Sequence, residues 1–302
     1  MSSPRNTVGH GLVKDAKWLD PFASFFGAIV TGFYALPGTR SIKSLLHGTW
    51  PLQHPLHPLL TDATVGGYTA MVAVDVLILV TGERSLVRVA DFLLVASFVT
   101  SLASIASGLT DWNETYAEER RTGMFHGLLM VVATAFFLIS LWMRVGGAAD
   151  QRTTAVAVST VGWLIMAVAA YFGGEMAFGY GTQVNRQAWA ETSEKWQRLE
   201  VAANGLEDRR PVVGRTKQGV DVLVAKLDGT VYAIANVCTH AGGPLNEGTW
   251  VGADRCEIQC PWHASRFCVK DGHAAAGPAT FDEIAFETRV SDNGFVEVRA
   301  KG

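Results

Sequence analysis

The stretches CTHAGG (238–243) and CPWHAS (260–265) each set a cysteine beside a histidine, at a spacing of two in the first and three in the second. All four cysteines of the chain lie beyond residue 237, and two of them stand in these motifs. Four cysteines would also suffice for two disulfides, but a histidine at metal-ligand spacing beside Cys238 and Cys260 favours a metal. Two thiolates and two imidazoles on adjacent loops suit either tetrahedral zinc or a [2Fe-2S] cluster in which two cysteines hold one iron and two histidines the other. The order Cys-x-His then Cys-x-x-His differs from that of zinc fingers, where both cysteines precede both histidines.

The surroundings of the motifs read as short strands with Gly and Asp turns. VDVLVAKLDGTVYAIAN (220–236) gives two strands about an Asp228-Gly229 turn, CEIQC leads as a strand into the second motif, and FDEIAFETRVSDNGFVEVRA (281–300) gives a closing hairpin turning at Asp292-Asn293-Gly294. A small antiparallel β-domain over 209–302 follows, preceded by a polar linker over 185–208.

The rest of the chain is of another kind. Of 302 residues 49 % are apolar and 18 % charged, and the apolar ones concentrate between about 63 and 180. Four stretches have the roughly 20 residues of helix that cross a bilayer: 63–81, 86–109, 124–143 and 155–174. Short connections, one holding Gly146, Gly147 and Asp150, imply an up-down all-α four-helix transmembrane bundle within a domain spanning 45–184. A fifth apolar run at 21–38, bounded by prolines, reads as an interfacial helix in an N-terminal region 1–44. The net charge of −3 and the lack of a basic block argue against a nucleic-acid partner. MSSPRNTVGHGLVKDAKW lacks a secretory signal pattern. This favours a multi-pass membrane protein, in contact with lipid, whose β-domain faces the cytoplasm.

Following the up-down path, His54, His57, Asp62, Asp111, Trp112, His126 and Glu175 fall at one membrane face. His57 and His126 begin helices of the same direction, so their rings could converge as a haem b, metal or quinone site; alternatively they cap helices or bond Asp111 and Glu175. Asp75 and Asp91 lie deeper in the spans, where an ionisable group is paired or functional; Arg88 is a candidate partner.

Residues 209–302 resemble a Rieske [2Fe-2S] domain: Cys238-Thr239-His240 and Cys260-Pro261-Trp262-His263 match its cluster loops, with Gly242-Gly243-Pro244-Leu245 after the first and Gly277-Pro278-Ala279 in the later proline loop. The resemblance implies Cys238 and Cys260 on one iron, and His240 and His263 on the other through Nδ1. High-potential respiratory members carry a further cysteine in each loop; here Gly243 and Trp262 stand there, so the chain looks like the ferredoxin-type branch. Ser265 matches the serine whose hydroxyl bonds a bridging sulfide, while the tyrosine that assists it is Phe267. Residues 45–184 resemble the four-span membrane domains of unknown function DUF2231 through HGTWPLQHPLHPLLTD, SGLTDW, GMFHGLL and GGEMAFGYGTQV.

Together these imply a membrane-anchored one-electron carrier exchanging with a quinone, a bundle haem, or a soluble or membrane redox protein. The alternative is a redox sensor or assembly protein of a membrane respiratory complex. A complete oxygenase would need a further soluble region for mononuclear iron.

Overall fold

A computed structural model describes residues 7–146, 151–252 and 256–301; the turn residues Gly147 and Asp150 lie outside them. The chain divides into two compact units. One comprises residues up to 39 together with 56–182, and the other comprises 40–55 together with everything from 183.

The first unit is all-helical. Its long helices are α4 (Leu56–Thr81), α5 (Val87–Trp112), α6 (Ala117–Gly146) and α7 (Arg152–Gly174), the last continued by a π-helical turn at Glu175–Tyr180. All four are long and apolar enough to cross a membrane. They are organised as lipid demands. Phe92, Val99, Val131, Trp142 and Leu164 are exposed, whereas Ser97, Ser101, Ser104, Ser107, Ser140 and Ser159 are buried. With hydrocarbon outside, leucine gains nothing by turning inward, so small residues that allow close approach and hydroxyls that bond a carbonyl one turn back fill the interior. Ser107 Oγ donating to Ser104 O at 3.0 Å is one such bond.

The two hairpins of the bundle repeat one pattern of buried positions. A step of 69 positions carries Thr64, Tyr68, Met71 and Asp75 of α4 onto Ala133, Phe137, Ser140 and Arg144 of α6, and all of these side chains are buried. A step of 65 carries Ala90, Leu94, Ser97 and Ser101 of α5 onto Ala155, Ser159, Gly162 and Met166 of α7, again all buried. Counterparts meet across the interior. Tyr68 and Phe137 stack with centroids 3.7 Å apart, and Arg144 binds Asp75 through two nitrogens at 2.5 and 3.1 Å. A local two-fold axis therefore runs along the bundle between α4 and α6.

Arg144 also donates to Asp91 at 3.0 Å, and Arg152 donates to both carboxylates, closing a quartet with no net formal charge. The partners of the deep aspartates are thus Arg144 and Arg152 rather than Arg88, because the inward stripe of α6 and the first turn of α7 reach their level.

Ahead of the bundle lie α1 (Val8–Val13) and α2 (Asp20–Tyr34). Arg121 holds the start of α2 through Asp20 at 2.7 and 2.9 Å, while Phe22, Phe25, Ile29 and Phe33 remain exposed along α2.

The second unit is an antiparallel β-domain. A six-stranded sheet has the order β1 (Gln197–Ala202), β10 (Phe295–Ala300), β9 (Ala285–Val290), β4 (Thr230–Ala235), β3 (Asp221–Leu227), β2 (Val212–Arg215). A four-stranded sheet has the order β5 (Thr249–Val251), β6 (Glu257–Gln259), β7 (Arg266–Cys268), β8 (Ala274–Ala276). The β3–β4 hairpin turns at Asp228 and Gly229, with φ of 51° and 86°, as a two-residue turn requires. One cluster of core residues, including Leu223, Ile234, Leu245, Ile258 and Phe267, packs between the sheets and contains Cys238 and Cys260.

Two boundaries differ from the sequence reading. Part of the expected linker 185–208 is β1, an edge strand in which Leu199 and Val201 face the core and Arg198 and Glu200 face out. Residues 40–55, expected to divide between the N-terminal region and the membrane domain, belong with the β-domain. The segment includes most of α3 (Thr39–His47), which is too polar for the bilayer. It buries His47 and Thr49, and Thr49 Oγ1 donates to Ala279 O at 2.8 Å.

Candidate cluster site

The two motifs lie on loops following β4 and β6. Cys238 N donates to Gly243 O at 2.9 Å and Gly242 N to Cys238 O at 2.8 Å, which folds the first loop back on itself; Gly242 has φ of 86° at the bend. The second loop closes through Cys260 N to Ser265 O at 2.8 Å and Ala264 N to Cys260 O at 3.1 Å. Gly243 is where the loops touch. A Cβ there would lie 2.8 Å from Cys260 Sγ and 3.0 Å from the Trp262 ring, so the tryptophan occupies the space in front of a residue that has to be glycine.

The four side chains divide into a sulfur pair and an imidazole pair. Cys238 and Cys260 are buried at 1 % and 2 % exposure, and His240 and His263 are partly exposed with ring centroids 4.8 Å apart. Among the described residues no three of His, Cys, Asp and Glu gather closely enough to hold one metal ion. A paired arrangement of two thiols and two imidazoles matches a two-iron cluster, which takes two protein ligands on each metal.

The chemistry of the donors fits that cluster. The Cys238–Cys260 contact and burial keep the proton on Cys238 and push its thiol up. The same contact draws Cys260 down to about 6, helped by the backbone N–H groups of Trp262 and His263. Burial, and then the neighbouring His263, His47, Arg186 and Lys43, hold His240 well below the ordinary histidine range. It is therefore neutral, the form in which an imidazole ligates. Its Nδ1 is buried and meets no hydrogen-bond partner among the described residues, which is costly in a ring kept for packing and natural in a ligand.

Ser265 is fully buried, and its Oγ accepts the Ala279 N–H at 2.9 Å, leaving its hydrogen to donate elsewhere. The fully buried Phe267 lies in the core beside it. Cys256 and Cys268 are free thiols whose sulfurs approach to 2.7 Å between β6 and β7, apart from the ligand set.

Three groups in the site had no signal in the motifs. Glu283 is buried at 3 % exposure beneath the first loop, where Thr239 N donates to Oε1 at 2.7 Å and Gln187 Nε2 donates to Oε2; burial pushes its carboxyl up to about 8. His47 and Lys43 arrive on α3 within electrostatic reach of His240. A Cβ on Gly277 would lie 3.3 Å from the His47 ring, so the proline loop is shaped to receive that helix. All three are distant in sequence from the ligands they adjoin.

In the helical unit the structure puts His57 on α4 and His126 on α6, at equivalent places in the two hairpins. His57 Nδ1 donates to Ser104 O at 2.9 Å and His126 Nδ1 to Ala169 O at 2.8 Å, so both rings are tied to the neighbouring helix. Neither meets Asp111 or Glu175. Glu175 accepts from Thr7 Oγ1 at 2.8 Å, and His54 belongs to the other unit.

These features define a metal-binding β-domain of ferredoxin type joined to a bundle of membrane-capable helices. The family described as "Predicted membrane protein (DUF2231)" matches residues 53–186, and the Rieske [2Fe-2S] domain family matches 196–286. The ferredoxin component of the naphthalene 1,2-dioxygenase system of Pseudomonas putida is 34% identical over 98 residues, which is 32% of this chain and 89% of that protein. The component of the same name from Pseudomonas aeruginosa is 33% identical over 88 residues, 29% of this chain and 80% of that protein. The solved ferredoxin of carbazole 1,9a-dioxygenase from Nocardioides aromaticivorans IC177 has 30% identity and a TM-score of 0.32, covering 35% of this chain and 99% of that one. The chain belongs to the Rieske [2Fe-2S] family through its C-terminal domain, with a DUF2231 domain ahead of it. The curated likenesses support a Rieske-type electron carrier with a [2Fe-2S] cluster and, as for any ferredoxin, a redox partner; they do not speak for haem or quinone.

Proposed function

We propose that the protein is a membrane-anchored one-electron carrier in which Cys238 and Cys260 hold one iron of a [2Fe-2S] cluster and His240 and His263 hold the other. The observation that carries this reading is the division of the site into a buried thiol pair and a partly exposed imidazole pair, with the His240 Nδ1 buried and unbonded.

The bound cluster supplies a one-electron couple. The thiolates are kept from water by the core between the sheets, and backbone N–H groups of their own loops bond the sulfurs. The half-buried imidazoles, less covered than the thiols, offer the shorter path by which an electron enters or leaves. Lys43 and Arg186 place positive charge near that edge, which favours the reduced, more negative state and an acidic patch on a docking protein. Ser265 adds a hydroxyl donor, and Phe267 adds none.

The partner is a redox protein or a membrane quinone. With four spans, the residues before the first and after the last lie on one side of the membrane, which we take to be the cytoplasmic side of the bacterial cell membrane. Protection of the β-domain from protease added to the cytoplasmic face of sealed vesicles would refute that orientation.

Electron paramagnetic resonance of the dithionite-reduced full chain, with iron and acid-labile sulfide analysis, tests the cluster. Two irons and two sulfides per chain are expected, with the signal lost in Cys260→Ser and His263→Ala. Stoichiometric zinc without sulfide in well-folded protein would remove the reading. Rapid re-oxidation of the reduced chain by quinone in liposomes identifies a quinone partner, whereas transfer only to an added redox protein identifies a protein partner.

A further inference from the structure

The hairpin repeat brings His57 and His126 to equivalent places about the local two-fold axis. From each histidine to the aromatic residue stacked on that axis, Tyr68 or Phe137, is 11 residues, about three helical turns, so both rings start from the same inward stripe as the stacked pair. The equivalence extends to their neighbours. Each Nδ1–H is bonded to a carbonyl of the second helix of its own hairpin, Ser104 O or Ala169 O. Four residues further along that helix stands a glycine against the ring. A Cβ on Gly108 would lie 2.6 Å from His57 Cε1, and one on Gly173 would lie 3.3 Å from His126 Cε1.

A backbone carbonyl can only accept, so the Nδ1 bond fixes the neutral tautomer and turns Nε2 into a lone-pair donor. Neither Nε2 meets a hydrogen-bond partner among the described residues, and the two rings lie within electrostatic reach of each other. This is how a histidine is prepared for a metal. It is the wrong polarity for the carbonyl oxygens of a quinone, which need a donor.

Two imidazoles related by an axis supply two ligands. No group of three His, Cys, Asp or Glu that could hold an ion by itself exists among the described residues, so the remaining coordination has to come with the metal. A tetrapyrrole brings four equatorial nitrogens to its iron and leaves two axial positions.

We propose that His57 and His126 are the axial ligands of one haem iron held on the two-fold axis between the hairpins, through Nε2 in each case. The site is independent of the cluster assignment and would give the membrane domain its own one-electron centre.

The test is the absorption spectrum of the full chain purified in detergent from a haem-sufficient host, and again after titration with hemin. One haem per chain is expected, with a low-spin bis-imidazole spectrum that is lost in His57→Leu and in His126→Leu. It should be weakened by Gly108→Leu, which crowds the His57 ring, and unchanged by Gly66→Ala, whose added Cβ meets nothing within 4 Å. The helical circular dichroism and its thermal transition, read in the same samples, report that the bundle of each variant is folded, and the cluster resonance keeps this test separate from that of the carrier. A chain with its full cluster but no haem after titration overturns the proposal. So does a haem spectrum that survives both histidine variants, or a quinone recovered in its place.

Discussion

Ser265 and Glu283 show how single side chains set the behaviour of the cluster site. The Ser265 hydroxyl uses its oxygen to accept from Ala279 and keeps its hydrogen, so Ser265→Ala removes a donor without opening a cavity of any size. A hydrogen bond to a charged acceptor is worth about 1.5–3 kcal/mol, and the part felt only by the reduced state is expected to lower the potential by tens of millivolts up to about 100 mV. Redox titration of the variant checks this, and an unchanged potential would mean the hydroxyl points elsewhere. Glu283 acts on stability. In the unfolded chain its carboxyl loses a proton near 4.5, whereas in the fold burial keeps the proton until about pH 8. Its contribution is therefore most favourable below pH 4.5 and declines as pH rises to 8, by up to roughly 5 kcal/mol. Glu283→Gln should flatten the fall in melting temperature between pH 5 and pH 8. The four proposed ligands stand out in the sequence because a cluster needs fixed donors at short spacing. Glu283, 43 residues beyond His240, and Lys43, almost 200 before it, do not, since only the folded sheet and α3 bring them there.

At the scale of elements, the strands were legible from alternation and turn residues, and the spans from length and hydropathy. Not read individually were the short strands β2, β5, β7 and β8, too brief for alternation to show, and β1, whose alternating QRLEVA follows a polar stretch and has no turn of its own to announce it. The repeat of the helical hairpin was harder to see. What survives in the letters is HPLL (57–60) against HGLL (126–129), while Asp75 faces Arg144 and Tyr68 faces Phe137, so the correspondence is one of position and not of identity. Counterparts across the axis are complementary and not identical. Identical charges there would repel. The Asp75–Arg144 pair is almost wholly buried, at 1 % exposure for each side chain. Asp75→Asn leaves an arginine short of a counter-charge and is expected to destabilise the helical unit by about 3–5 kcal/mol. Thermal unfolding in detergent, followed by the helical signal, measures this; the double variant Asp75→Leu with Arg144→Met should recover much of the loss.

For the whole molecule, the β-domain is assembled from two separated pieces of chain. Expression of residues 183–302 alone keeps all four ligands and both sheets but lacks α3 and its lysine. It is expected to bind the cluster with a lower potential than the full chain, since the positive charge of Lys43 near His240 is gone. Adding a peptide of residues 40–55 should shift the potential back, whereas the same peptide with Lys43→Glu should not. Equal potentials in the isolated domain and the full chain would show that α3 leaves the cluster's electrostatics alone.

Because α3 is stitched into the β-domain between two stretches of the helical unit, the polypeptide passes from one unit to the other three times, near 39, 55 and 182. The cluster domain is thus not a module that a single cut would excise whole. Cutting near 182 alone would strand residues 40–55 on the other fragment, so the severed piece would lack part of its own unit until that segment rejoined it.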